Sequence, residues 1–82
     1  MERRIGAAVM LIKDRSAINK LNQIVSEHAD IVIGRQGIPI KDREMNVITL
    51  VLDGSTDEIG SLTGQIGRLT GVQIKSALIK GD

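Results

Sequence analysis

The apolar positions of this chain fall into segments whose spacing changes from strand to helix and back. Ile5 to Ile12 is a continuous apolar run of strand length. From Ile18 the period lengthens. Ile18, Leu21, Ile24 and Val25 recur at helical spacing, opposite Asn19, Lys20, Gln23 and Glu27. Asp14 or Ser16 can cap this helix, since a short polar side chain accepts a hydrogen bond from a free N–H of the first turn. Asp30 is expected to end it, and Ile31 to open a second strand. That strand runs through Gly34-Arg35-Gln36-Gly37 to Pro39, and "PIKDREM" reads as a polar turn. "NVITLVLD" (46–53) is rich in β-branched residues and predicts a third strand. Ser55 and Glu58 have capping-box spacing ahead of a second helix with the stripe Ile59, Leu62, Ile66 and Leu69. Gly71 marks its stop, and "VQIKSALI" (72–79) is the last strand.

The order β-α-β-β-α-β predicts an α+β, ferredoxin-like fold: a four-stranded antiparallel sheet with both helices on one face. Strands one and three then lie in the centre. Both are apolar on both faces: Ala7, Val9 and Leu11 against Ala8, Met10 and Ile12 in the first, Val47 and Val51 against Ile48, Leu50 and Leu52 in the third. Two helices cover only one face. A strand apolar on both sides is normally buried on both, so a homo-oligomer, dimer or tetramer, is expected.

Length sharpens this. The 82 residues allow one domain, 1–82, and a chain so short buries only about 60 % of its unfolded surface. With no cysteine, disulfides, iron–sulfur clusters and thiolate metal sites are excluded. Subunit association is the remaining common source of stability. The net charge is +1, from eleven basic and ten acidic residues spread along the chain, and there is no Phe, Tyr or Trp. Neither a basic face nor base-stacking rings are present, so direct nucleic-acid binding is not expected. Arg3 and Arg4 before an apolar run resemble a signal peptide, but Lys13, Asp14 and Arg15 follow at once. No stretch approaches the roughly 20 apolar residues that span a bilayer. A soluble cytoplasmic protein without membrane contact is expected.

Candidate chemistry is sparse. His28 is the sole histidine and falls within the apolar arc of Leu21, Ile24 and Val25, which predicts a structural role. The carboxylates sit at turns and helix starts, where capping and solvation account for them. No enzyme and no cofactor are expected; a distant enzymatic reading would be an acyl- or phosphoryl-handling activity using Arg15 and Asn46. Three features remain. Gly60, Gly64 and Gly67 share one side of the second helix, which points either to close approach by a neighbour or to a poorly optimised exposed face. Asp14, Arg15 and Ser16 form a strand-to-helix turn able to seat an anion or carboxylate, or simply to cap. Gly34 and Gly37 either let strand two bend so that Arg35 faces a subunit interface or effector, or mark a bulge that ends the strand at Pro39.

Taken together, "KDR" after strand one, "LNQI" in the first helix, "IVIGRQGIP" in strand two and "IGSLTGQIGRLTGVQIK" across helix two and strand four are distinctive. The chain resembles, over nearly its whole length, the small stand-alone proteins assigned as regulators of the iron-only hydrogenase system, relatives of ACT domains. The resemblance implies an ACT-like ferredoxin fold, homo-oligomers, and regulation of hydrogenase maturation or expression. ACT domains commonly bind small effectors, often amino acids, at subunit interfaces near the turn after strand one. Asp14 and Arg15 match the Asp-Arg that begins the common ACT turn, while Ser16-Ala17 replace the usual Pro-Gly. The implied ligand-binding candidates are therefore Asp14, Arg15, Ser16, Gly34, Arg35 and Gly37. The alternative to a small-molecule sensor is an adaptor that docks another protein on its apolar sheet face.

Overall fold

The alternation of apolar positions becomes a two-layer sandwich in the computed structural model, which describes residues 3–80. The elements are β1 (Arg3–Ile12), α1 (Ala17–Glu27), β2 (Val32–Ile40), β3 (Met45–Ser55), α2 (Thr56–Gly67) and β4 (Val72–Lys80). Short 3-10 turns occupy Ala29–Ile31 and Lys41–Arg43. The four strands lie in the order β2-β3-β1-β4, every neighbouring pair antiparallel, so β1 and β3 are central as the pattern requires.

Register sorts the two apolar faces. Ala8 pairs with Leu50 and Met10 with Ile48 across the β1–β3 ladder. These side chains point to the helices, where Leu21 and Val25 of α1 and Ile59, Leu62 and Ile66 of α2 complete one core. Met10, Ile12, Leu50, Leu52 and Leu62 are fully buried. The opposite set, Ile5, Val9 and Val51, stays on the uncovered side of the sheet.

Three boundaries differ from the sequence pattern, one of them the end of α2, which falls at Gly67 and leaves Leu69 outside the helix. α1 ends at Glu27, not Asp30, and Ile31 sits in a 3-10 turn with its side chain in the core. The reason lies on β3: a Cβ built on Gly54 would stand 2.8 Å from Ile31 Cγ2, so the glycine leaves the space Ile31 fills. β2 then begins at Val32 and continues through Pro39 to Ile40. An edge strand tolerates the missing N–H. The bulge lies at the start of β2, not at its end. Val32 faces Leu52 and Gly34 faces Val51, leaving Ile33 as the extra residue.

The second helix begins as expected. Ser55 Oγ accepts from the Glu58 N–H at 3.1 Å, and Glu58 Oε1 accepts from the Ser55 N–H at 2.8 Å, a reciprocal capping box. Ser55→Ala is expected to cost about 1 kcal/mol. The Ser55 N–H, and then its hydroxyl, hold the Glu58 carboxyl below its ordinary value. A depressed native value means that the unfolded chain binds more protons in this range, so stability rises with pH. The contribution is present above the unfolded value of about 4.3 and is lost as pH falls through the lower native value. Urea midpoints of Glu58→Gln should therefore decline less steeply than those of the native chain as the pH falls through that window. Equal slopes would contradict the assignment.

Candidate functional site

The turn joining β1 to α1 is closed by its own side chains. Asp14 Oδ1 accepts from the Ser16 hydroxyl at 2.7 Å and from the Ser16 N–H at 3.0 Å. Ser16 is thus the residue at the cap position, but its hydroxyl donates to Asp14 instead of accepting from the helix. Asp14 is the side chain that organises the turn, as short carboxylates do. The Ser16 hydroxyl, and then its N–H, lower the Asp14 carboxyl below its ordinary value. Behind it, the Ala17 N–H donates to the Asp14 carbonyl at 3.0 Å and the Ile18 N–H to the Arg15 carbonyl at 3.2 Å. The amides expected to seat an anion here are thus engaged at Ser16, Ala17 and Ile18. The charge of Arg15 and its neighbours is what the turn still offers.

Gly71 locks the turn from below. Its carbonyl accepts from the Lys13 N–H at 2.9 Å, and its φ is +80°. A Cβ at this position would stand 2.5 Å from Asp14 Cβ. α2 ends at Gly67, four residues before the expected stop at Gly71, and the place of Gly71 is to let the chain before β4 pass against the β1–α1 turn.

The six candidate residues do not form one site. Asp14 and Ser16 line a small cleft of about 150 Å³ with Lys20, Arg68 and Thr70. Arg15 opens onto a different cavity of about 450 Å³, shared with Lys13 and with Pro39, Lys41, Glu44 and Asn46 of the β2–β3 connection. Arg35 pairs across the ladder with buried Leu50, which sets it on the helix side of the sheet. There its Nη2 donates to Asn22 Oδ1 of α1 at 2.6 Å. A partner on the uncovered sheet face would not meet it. Gly34 and Gly37 keep negative or extended φ, and a Cβ on either would make only ordinary contacts, with Val51 at 3.5 Å and Ile48 at 4.0 Å. The strand bends through the Ile33 bulge, so neither glycine is sterically required.

His28 is a helix pin. Its Nδ1 lies 2.7 Å from the Ile24 carbonyl, which can only accept, so Nδ1 carries the proton. Nε2 then accepts from the Ser61 hydroxyl at 3.1 Å and ties the end of α1 to α2. Glu27, Asp30, Asp57 and Glu58 surround this contact in a cavity of about 330 Å³. Among the described residues no group of three or more His, Cys, Asp or Glu side chains could hold a metal ion. No helix among them is long and apolar enough to cross a membrane.

On α2, no atom of the described residues beyond the helix comes within 4 Å of a Cβ built on Gly60 or Gly64. A close neighbour among those residues is therefore not the reason for these glycines. Gly60→Ala and Gly64→Ala should each raise the stability of the isolated fold by about 0.8–1 kcal/mol. A loss in thermal melts would show that something outside the chain packs there.

Sequence reasoning missed Lys13, Pro39, Lys41 and Met45 as neighbours of Arg15. A local signal existed only in the topology. The β2–β3 connection must return beside the C-terminal end of β1, because β1 and β3 are antiparallel.

The fold and its ends can now be set beside known proteins. Residues 4–76 match the family described as "TM1266-like: Iron-only hydrogenase system regulator, putative". The chain is similar to the uncharacterized protein TM1266 from Thermotoga maritima, with 28 % identity and a TM-score of 0.90, over 96 % of this chain and 100 % of that one. An unknown protein from Galdieria sulphuraria shares the fold at 10 % identity and a TM-score of 0.65, over 99 % of this chain and 48 % of that one. A formyltetrahydrofolate deformylase from Pseudomonas putida KT2440 does so at 8 % identity and a TM-score of 0.60, over 90 % and 28 %. No curated protein matches the sequence.

Proposed function

The chain belongs to the TM1266-like family, described as regulators of the iron-only hydrogenase system, and from this premise we propose that it is a non-catalytic, cytoplasmic regulatory domain. In this reading it self-associates through the uncovered face of its sheet and responds to a small-molecule effector at the Arg15 end. The observation that carries the reading is the composition of that face. Ile5, Val9 and Val51 are 37 %, 45 % and 40 % exposed on the two central strands, where a monomer would place polar side chains. Ile38 of β2 and Ile79 of β4 extend the patch, since they pair with Val47 and Ile5.

Its size fits a second copy. Four strands about 4.8 Å apart, each of about nine residues rising ~3.3 Å, outline a face of roughly 550 Å² in projection. That approaches the ~800 Å² each partner contributes to a standard interface. The rim is polar, as interfaces require: Arg3 Nε donates to Asp53 Oδ1 at 3.0 Å at one end, and Lys75 lies beside Val9. An isologous pairing would use one self-complementary patch twice.

The test is a thermal melt and a light-scattering mass, each measured with and without a panel of amino acids and nucleotides. An effector at a hundredfold excess over its Kd stabilises the state it binds by about 2.7 kcal/mol, a rise of about 10 °C or more for a domain this small. A monomer indifferent to every compound would leave the adaptor reading in its place. Turnover abolished by Arg15→Ala would revive an enzymatic one.

A further inference from the structure

We infer that the cavity between the β1–α1 turn and the β2–β3 connection binds a small organic dianion of the phosphate-monoester class. The cavity holds about 450 Å³, within the range of small-molecule sites. Three cations line it: Lys13 and Arg15 from the turn, and Lys41 from the short helix after β2. None of the three has a side-chain hydrogen bond or ion pair with another described residue. The single ion pair among the described residues, Arg3–Asp53, lies at the other end of β1. Asp14, between Lys13 and Arg15 in the chain, is committed to Ser16, and Asp42, next to Lys41, is not among the residues that line the cavity. Glu44 alone brings negative charge to the lining, so three positive charges against one leave two to be met.

A solvated basic rim would explain three lysines or arginines on a convex surface. Here they surround a concavity with Pro39, Ile40 and Met45 in its wall and Asn46 as an uncharged polar partner. Half-buried Met45 and Ile40 offer contact to a carbon skeleton, while Arg15 supplies a planar fork suited to phosphate oxygens and the lysines supply point charges. A monocarboxylate would leave one positive charge unmet. Glu44 disfavours a ligand with more than two negative charges. The backbone seat is firm: the Lys13 N–H is fixed on Gly71, and the Glu44 N–H on the Lys41 carbonyl at 3.3 Å. The inference deepens the proposed effector response by giving the effector a class, and binding can be tested separately from regulation.

The probe is glycerol phosphate, titrated into the full-length ¹⁵N-labelled chain, with glycerol and with sodium chloride at matched ionic strength as controls. Saturable shifts at the amides of Lys13, Arg15, Lys41 and Asn46, absent with both controls, are expected. Arg15→Gln and Lys41→Gln should each weaken the affinity about tenfold, the scale of one charge-assisted hydrogen bond. Both side chains are exposed, so the variants retain the native spectrum elsewhere. Shifts reproduced by chloride, or an affinity unchanged in both variants, would overturn the proposal. Light scattering on the same samples separates the two readings: binding without any change in mass would keep the site and remove its coupling to assembly, since binding alone raises the melting temperature whatever it regulates.

Discussion

Gly71→Ala will destabilise the chain by roughly 2–5 kcal/mol, a large share of what a small domain has to lose. Two costs add. A non-glycine residue at φ +80° gives up about 1–2 kcal/mol. The new methyl also meets Asp14 Cβ at 2.5 Å with Asp14 N at 3.3 Å behind it, and forcing atoms into a packed contact costs about 1–3 kcal/mol. Relief requires moving either the turn or the start of β4, and each is held: the Lys13 N–H by Gly71, Asp14 by Ser16. The urea midpoint should fall at constant slope. Because the displaced turn carries Lys13 and Arg15, the same substitution should blunt ligand binding at the cavity they line. A loss below about 1 kcal/mol, the scale of an ordinary surface change, would contradict the close approach.

Under the proposed self-association, Val9→Glu will yield monomers without unfolding the chain. Val9 lies on the uncovered face, paired with Thr49 on β3 and Lys75 on β4, while its neighbours Ala8 and Met10 point into the core. The charge therefore stays in water in a lone protomer. In a face-to-face pair it would lose its water with only Lys75 of the edge strand beside it, and removing such a pair from water costs several kcal/mol that the ion pair repays only with excellent geometry. Association should weaken at least 100-fold, which needs only about 2.7 kcal/mol. Asn19→Glu, on the exposed side of α1, should change nothing. A Val9→Glu chain that still assembles like the native one would move the interface elsewhere.

Most of the architecture was legible because it rests on local regularities. The strand and helix periods, the Ser55–Glu58 box and the doubly apolar central strands each depend on residues close in sequence. His28 was placed by the arc it occupies, and its two hydrogen bonds agree with a structural role. What could not be read depends on distances between elements. Asp14 and Ser16 were equivalent as caps until the 2.7 Å contact made one the donor and the other the acceptor. The bulge expected to end the strand at Pro39 lies instead at its start, with Ile33 as the extra residue, because register is set by the partner strand. Arg35 looked available, but Asn22, thirteen residues earlier, holds it. The Lys13–Arg15–Lys41 cavity joins two loops far apart in the chain, so no window of sequence contains it.

We propose that a second copy covers the open sheet face. The most direct test is the mass of the native chain in solution, by light scattering at micromolar concentration and moderate salt. Twice or four times the 8.9 kDa of one chain is expected. A mass of 8.9 kDa that persists on concentration would contradict it.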